Sequence, residues 1–187
     1  ISIDSSTLMN KMLEIIEAQK LFNISENKID ILIHPNSLVH AIIEFKNGLV
    51  KFLYHQTSML IPLANAIFED NLNIKDFYTP KEKNFKNQIK NLSFEKVNEK
   101  IFPIIKIKKK VNEYPSSPII VNAANEILVD QFLQKKIPFS SITKIIMSIL
   151  TDRNYKKYAI RKPKNINQIK IIDQWARSQA IKTIKKL

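Results

Sequence analysis

The chain has 187 residues, 44% of them hydrophobic and 25% charged, which is an ordinary composition for one or two globular domains with a sizeable core. It contains no cysteine, so a disulfide framework, a thiolate metal site and a cysteine nucleophile are excluded within it. Its single glycine, Gly48, excludes the glycine-rich loops that bind dinucleotides and nucleoside triphosphates. No stretch of about 18 uncharged apolar residues occurs, so no membrane span is expected. The chain begins with isoleucine, and we expect it to be part of a longer protein.

The net charge of +13 is distributed unevenly. Residues 1–70 carry 5 lysines and 8 acidic residues, whereas residues 71–187 carry 25 basic and 9 acidic residues. A basic C-terminal part raises the possibility of nucleic-acid binding. The basic residues are mostly lysines along helical patterns with few aromatic neighbours, which favours a solvated basic face, so a nucleic-acid partner is the alternative interpretation.

Polar side chains cluster at the start of the chain. Ile1 to Ile3 predicts a short strand remnant, and residues 4–7, Asp-Ser-Ser-Thr, are the types that satisfy the free N–H groups at a helix start. We therefore expect a helix over about residues 7–21. Its hydroxyl-rich N-terminus, with the partial positive charge of a helix start, suits a phosphate group.

Three polar side chains lie close together on this predicted helix. Asn10 and Glu14 are four residues apart and share a face, and Lys11 lies three residues before Glu14 on an adjoining face. One helical turn thus presents an amide, an ammonium and a carboxylate together. The alternative interpretation is a solvated Lys–Glu pair, which is the commoner role of this spacing.

The following segments predict a small sheet. Residues 29–34 predict a short apolar strand. Residues 39–45 and 50–54 alternate between apolar and polar side chains on either side of Asn47-Gly48, a pattern typical of an antiparallel hairpin with one buried face. We expect the hairpin to complete a sheet against which the first helix packs.

Two histidines invite a metal-binding interpretation. His34 and His40 are six residues apart, a spacing that matches no local metal-ligand motif. We therefore interpret both as structural histidines.

The remainder of the chain predicts helices. Pro62–Phe68 predicts a short helix with proline in its first turn. Residues 69–94 predict a linker, with a short returning strand that starts at Leu92. The helix-like segments that follow should pack as a bundle, and they cover about residues 101–111, 117–135, 140–151 and 166–186. These patterns divide the chain into domains at 1–68, 69–94 and 95–187.

One polar cluster interrupts the predicted bundle. Asn122-Ala-Ala-Asn125-Glu126 lies on an otherwise apolar helix, where polar groups form either a buried hydrogen-bonded junction or part of a site. We interpret the cluster as a junction that ties the bundle to the domain over residues 1–68.

Four sequence blocks resemble one enzyme family. The run SIDSSTLMNKMLEIIEAQKLFN is similar to SxDSxTMMNKxLExxEAxxLF, which marks the 1-deoxy-D-xylulose 5-phosphate reductoisomerases. Three further blocks resemble family segments in the same order: LIHPNSLVHAIIEF, SMLIPLANAI and NAANEILVDQFL. The resemblance implies an α+β fold, with part of an α/β catalytic domain that has an antiparallel hairpin in its sheet, followed by a C-terminal α-helical bundle. It also implies that the NADPH-binding Rossmann domain is absent from this chain.

The resemblance also implies a reaction and its residues. The family are oxidoreductases that use NADPH and Mg²⁺ or Mn²⁺ to convert 1-deoxy-D-xylulose 5-phosphate to 2-C-methyl-D-erythritol 4-phosphate in non-mevalonate isoprenoid biosynthesis. By motif position, Glu14 is a metal-binding carboxylate, and Glu14 and Lys11 are catalytic. On the same basis, the substrate is expected to bind to Ser5, Asn10, Lys11 and Glu14, and Met59 is expected to lie near the nicotinamide. Since the family's other metal carboxylates are not found in this chain, the chain alone is expected to be inactive and to bind metal weakly.

The resemblance further implies partners and a location. It implies a phosphorylated sugar as the substrate, a homodimer and no membrane association, and it makes a nucleic-acid partner unlikely. We expect a cytoplasmic protein in a bacterium, or a plastid protein if the source is eukaryotic. The remaining alternative is a basic helical module for nucleic-acid binding or oligomerisation. Ser37 and His40 would line the substrate pocket without contacting the reacting atoms.

Overall fold

The computed structural model describes residues 1–68, 72–76 and 92–186. The contacts within the chain define two compact units, one of Ile1–Ile31 with Val97–Leu187 and one of Leu32–Lys96.

This division differs from the predicted domains at 1–68, 69–94 and 95–187, because the opening helices contact the C-terminal ones. The domain scheme stays a prediction, and most of its linker lies outside the described residues.

The first unit begins with two helices. Helix α1 covers Ser2–Thr7, helix α2 covers Met9–Phe22, and Leu8 between them has a left-handed backbone with φ of 66°. The predicted helix over 7–21 is confirmed as α2. The predicted strand at residues 1–3 is wrong, because Ser2 and Ile3 are helical and Ile3 packs against the core as part of α1.

The second unit contains paired strands. Strand β1 covers Leu32–Ile33, β2 covers Val39–Glu44, β3 covers Val50–Tyr54 and β4 covers Glu95–Lys96. Strands β2 and β3 form the predicted antiparallel hairpin, with Val39 opposite Tyr54 and Glu44 opposite Val50. Gly48 has φ of +86° in the turn, a conformation that glycine adopts without steric cost.

The remaining strands form a separate antiparallel pair. Strand β1 pairs with β4, so the predicted returning strand is present, but it is only two residues long. The predicted strand over 29–34 is likewise shortened to β1, because the pairing with β4 covers Leu32 and Ile33. Among the described residues each sheet has two strands. The larger sheet that we expected the hairpin to complete is therefore not found within them.

The prediction that one face of the hairpin is buried is wrong. Ile43, Phe45, Val50 and Phe52 are all about half-exposed, because the described residues place no second layer over a two-stranded ribbon. Helix α3 follows at Leu60–Phe68 and begins two residues before the predicted start, so that Pro62 lies in its first turn, as expected.

The C-terminal helices complete the first unit. A 3₁₀ turn at Pro103–Ile107 leads into α4 at Lys108–Glu113, where one helix over 101–111 was predicted. The others are α5 at Ser117–Leu133, α6 at Phe139–Ile149, α7 at Tyr155–Ala159 and α8 at Ile166–Ile184. The sequence predicts all of these except α7. The α+β fold class with a C-terminal helical part is confirmed, and no Rossmann fold occurs in the described part of the chain.

Helices α5 and α8 pack along each other through the centre of this unit. Ala176 and Ala180 of α8 are fully buried, and their small side chains allow the two helices to approach closely. Helix α2 joins the same core through Met9, Met12 and Ile15, at spacings of three residues along its inner face. The first turns of α2 are thereby fixed to a rigid support.

A buried polar network holds α7 to its neighbours. The hydroxyls of Tyr155 and Ser117 are 2.6 Å apart, and Tyr155 also donates to the backbone carbonyl of Lys110 at 3.3 Å. Burial raises the pKa of the Tyr155 phenol above its ordinary value, so it remains a neutral donor. The network therefore ties α4, α5 and α7 together.

In the described ranges, no helix has both the length and the apolar character that a membrane crossing requires.

Candidate active site

The first two turns of α2 bring together the three side chains that the spacing predicts. The amide nitrogen of Asn10 donates to Oε1 of Glu14 at 2.6 Å. The ammonium of Lys11 donates to Oε1 and Oε2 of Glu14 at 3.0 and 2.8 Å. Both oxygens of the carboxylate are therefore engaged by these two neighbours, in a cluster that we call the Asn10–Lys11–Glu14 group.

This group faces solvent while the opposite side of α2 is buried. The Lys11 and Glu14 side chains are 49% and 46% exposed. A Lys–Glu pair this exposed contributes only about 0–1 kcal/mol to stability, since water screens it. The group is thus free to exchange partners at small energetic cost, and both charges remain accessible to a ligand.

The hydroxyls of residues 4–7 do not form the expected helix N-terminus. They lie within α1, where the Ser6 hydroxyl donates to the carbonyl of Ser2 and the Thr7 hydroxyl donates to the carbonyl of Asp4. Short hydroxyl side chains often bond to their own backbone in this way. Among the residues predicted to cap α2, Thr7 accepts a hydrogen bond at its hydroxyl from the backbone N–H of Met9, at 3.3 Å. The prediction of a hydroxyl-rich phosphate site at the start of α2 is therefore wrong, although Ser5 remains exposed on α1.

Asp4 makes a contact that sequence reasoning missed. Its Oδ1 accepts a hydrogen bond from the amide nitrogen of Asn125 at 2.7 Å, across 121 residues of chain. Asn125 lies in the middle of α5 and is 3% exposed. The predicted junction at the Asn122–Glu126 cluster is therefore present as a hydrogen bond from α5 to α1. The polar residue on an apolar helix was the sequence signal for Asn125, whereas nothing in the sequence pointed to Asp4 as its partner.

The neighbouring residue Glu126 holds α5 to α8. The guanidinium of Arg177 donates to Oδ2 of Asp173 at 2.7 Å and to Oε2 of Glu126. The hydrogen bond to Asp173, and then that to Glu126, raise the pKa of Arg177 above its already high ordinary value. Glu126 thus supports the position of α5, from which Asn125 reaches α1.

The second unit contains Met59 and the two histidines, His34 and His40, that were predicted to be structural. Met59 is 71% exposed just before α3. Nδ1 of His34 lies 2.8 Å from the carbonyl of Ser93, and its ring stacks on Phe94. The ring of His40 stacks on that of His55 with centroids 3.8 Å apart. These contacts fit the structural roles predicted for both histidines.

The described residues fit only part of a divalent metal site. None of the described ranges contains a group of three or more His, Asp or Glu side chains that could hold a metal ion. Mg²⁺ and Mn²⁺ bind oxygen ligands, and Glu14 offers an exposed carboxylate of that kind. One carboxylate does not hold such an ion well, so Glu14 would bind it only together with further ligands.

Comparison with known proteins shows the family to which the chain belongs. A model of the DXP reductoisomerase C-terminal domain matches residues 55–179, two thirds of the chain. The chain belongs to the 1-deoxy-D-xylulose 5-phosphate reductoisomerase family. A second model, the 1-deoxy-D-xylulose 5-phosphate reductoisomerase C-terminal domain, matches residues 1–22, which contain the Asn10–Lys11–Glu14 group.

Individual reductoisomerases support the same assignment. The enzyme of Pelagibacter ubique (strain HTCC1062) is 39% identical over 94% of this chain and 44% of its own length. That of Campylobacter jejuni is 40% identical over 80% of this chain and 40% of its own length. The chain therefore spans less than half the length of these two relatives.

Solved structures agree in fold. The reductoisomerase from Zymomonas mobilis in complex with NADPH has a TM-score of 0.85 and 33% identity, over 100% of this chain and 47% of its own. A reductoisomerase in complex with NADPH, fosmidomycin and magnesium has a TM-score of 0.88 and 32% identity, over 99% of this chain and 46% of its own.

Proposed function

We propose that the chain is the C-terminal part of an enzyme that converts 1-deoxy-D-xylulose 5-phosphate to 2-C-methyl-D-erythritol 4-phosphate with NADPH and Mg²⁺ or Mn²⁺. The observation that carries this proposal is the Asn10–Lys11–Glu14 group, which lies within the segment that the family model matches. Solved relatives in complex with NADPH and magnesium support the choice of cofactors.

Each residue has a separate role in this proposal. Glu14 contributes a carboxylate to the metal site, and the bound ion supplies a Lewis acid that stabilises negative charge on substrate oxygens. Lys11 offers a positive charge, while Asn10 and Ser5 offer an amide and a hydroxyl, to the phosphorylated sugar. Met59 contacts the nicotinamide through its polarizable thioether.

The contact between Lys11 and Glu14 affects how each of them binds a ligand. The Lys11 ammonium engages both Glu14 oxygens, so a substrate oxygen would compete with Glu14 for Lys11, and Lys11 would shift to open the carboxylate to a metal ion. The flexible four-carbon stem of lysine permits this movement. The pair holds two opposite charges close together without a strong mutual interaction.

The direct test is an assay of the complete polypeptide. NADPH oxidation is followed with 1-deoxy-D-xylulose 5-phosphate as substrate, in the presence of Mg²⁺ or Mn²⁺. Consumption of NADPH that depends on both the substrate and the metal ion is expected. A correctly folded complete polypeptide without this activity would overturn the proposed function.

The 187-residue chain by itself is expected to be inactive in this assay and to bind Mn²⁺ weakly. The reason is that its described residues offer one carboxylate at the site, and the ion retains its water ligands unless several protein ligands converge. Isothermal titration of the chain with Mn²⁺ checks this, with the complete polypeptide as the positive control. Saturable binding by the chain in the micromolar range would contradict it.

A homodimer and a cytoplasmic location in bacteria belong to the same proposal. The relatives named above are bacterial, and the half-exposed apolar side chains of β2 and β3 suit a protein interface. Light scattering of the complete enzyme is expected to give twice the mass of one chain, and Phe52→Lys to lower it towards the single-chain mass. Phe22→Lys alters an exposed phenylalanine at the end of α2 and serves as the matched control. An unchanged mass for Phe52→Lys would count against the hairpin as the interface.

A further inference from the structure

We propose that Asn125 is a positioning residue for substrate binding, since its hydrogen bond to Asp4 holds α1 in the orientation that presents Ser5. The inference rests on the proposed function, because it assigns a task to a residue that supports a proposed substrate ligand. It adds a residue of the C-terminal helices to the determinants of substrate affinity.

The first step is that α1 needs external support. It has six residues, and a helix of this length is not stable by itself in water. At its C-terminal end, the Leu8 N–H donates to the carbonyl of Ser5, and Leu8 then turns the chain into α2 through its left-handed backbone. Ile3 and Thr7 pack inwards, which fixes the depth of α1 but leaves its rotation and tilt to directional contacts.

The second step is that Asn125 supplies such a contact from a rigid base. Asn125 lies in the middle of a 17-residue helix, and the adjacent Glu126 is paired with Arg177 of α8. A hydrogen bond of 2.7 Å to the Asp4 carboxylate has defined direction and length. Because Asp4 immediately precedes Ser5, a change in this bond is transmitted to the Ser5 hydroxyl through a single peptide unit.

The third step is that stabilising the fold does not by itself explain the hydrogen bond between Asn125 and Asp4. The carbonyl oxygen Oδ1 of Asn125 is buried and has no hydrogen-bond partner among the described residues. Burying an unpaired polar atom is unfavourable, so an apolar side chain of similar size would suit a purely structural role at least as well. A directional bond that leaves one polar atom unpaired is better explained by positioning.

The surroundings connect this bond to the Asn10–Lys11–Glu14 group. Asp4 and Asn125 line an open cleft of about 380 Å³ together with Leu13 of α2, the residue before Glu14. Helix α5 therefore contacts both segments that carry proposed substrate ligands. A change at Asn125 should act on Ser5 most directly, since Asp4 is its hydrogen-bonded partner.

The test compares Asn125→Leu with Asn122→Leu in the complete enzyme. Leucine at position 125 keeps the branching and the number of side-chain heavy atoms and removes the hydrogen bond to Asp4. We expect KM for the sugar phosphate to rise about tenfold, the effect of one charge-assisted hydrogen bond, with kcat nearly unchanged. Asn122 lies one turn earlier on α5, is exposed and bonds locally to Glu126, so Asn122→Leu should leave KM unchanged.

A second pair of variants keeps the inference testable if Asn125→Leu does not fold. Asp4→Ala removes the acceptor and should also raise KM about tenfold, whereas Asp4→Asn retains an acceptor oxygen and should stay near the parent value. A structural role alone would lower the unfolding temperature of Asp4→Ala and leave KM unchanged.

The possible failures are distinguishable. A parent enzyme without reductoisomerase activity overturns the proposed function and this inference together. An active parent with unchanged KM in Asn125→Leu or in Asp4→Ala overturns this inference alone, as does a rise in KM of equal size in Asp4→Asn and Asp4→Ala.

Discussion

Replacing Glu14 by glutamine is expected to lower kcat/KM of the complete enzyme by at least about 100-fold, without a measurable change in unfolding temperature. Glutamine keeps the size of the side chain and one acceptor oxygen but removes the negative charge that a divalent ion requires. A bound metal ion contributes several kcal/mol of charge stabilisation, and each 1.36 kcal/mol corresponds to about tenfold in rate. Steady-state kinetics over a range of Mg²⁺ concentrations measure the effect.

The stability part of this prediction follows from exposure. Glu14 is about half-exposed, and the Lys11 bridge that glutamine would weaken spans one surface turn of α2. The buried residues of α2 are Met9, Met12 and Ile15, and the substitution leaves them unaltered. A large fall in activity with an unchanged thermal transition would therefore locate the effect in ligand binding or catalysis.

The chain offers a matched control for this substitution. Lys110 and Glu113 of α4 form a bridge with the same three-residue spacing, a distance of 3.0 Å and exposures of 45% and 37%. The hydrogen bond from Lys110 lowers the pKa of Glu113, so the Glu113 carboxylate is ionised at neutral pH. Glu113→Gln is expected to retain the activity of the parent. Equal activity losses in Glu14→Gln and Glu113→Gln would show that Glu14 has no special role.

The periodic parts of the fold could be predicted from the sequence. The alternation around Asn47-Gly48 gave the hairpin, since side chains alternate along a strand and this dipeptide accommodates the turn. The helix-like pattern over 166–186 predicted α8, in which Ile172, Ala176 and Ala180 are buried. Such patterns are local, so they can be found without any knowledge of the rest of the chain.

The break between α1 and α2 could not be predicted in the same way. It falls at Leu8, a residue with high helix propensity that has a left-handed backbone in the structure. Packing of Ile3 and Met9 against the same core overrides that propensity. The hydroxyls expected at the start of one long helix consequently lie inside a short one.

The sequence predicted only those contacts of the candidate site that join residues close together in the chain. Asn10, Lys11 and Glu14 meet because one helical turn brings them together, and their spacing showed it. The bond between Asp4 and Asn125 joins residues 121 positions apart, and no local pattern encodes such a contact. The residue types did show that Asn125 needed a partner, because a buried amide is rarely left without one.

Shortening Leu128 to alanine is expected to lower the unfolding free energy of the chain by about 2–5 kcal/mol, the range seen when a buried leucine leaves a cavity. Leu128 is 0% exposed in the core of the first unit, on the helix that packs against both α6 and α8. Leu133→Ala is the matched control on the same helix: it removes the same atoms from a side chain that is 64% exposed, and should cost no more than about 0.5 kcal/mol. Urea unfolding of both variants and the parent measures the difference, with the slope of the transition expected to stay constant. Equal losses in the two variants would contradict the packing described here, because α5 would then contribute as much stability through its exposed end as through its buried centre.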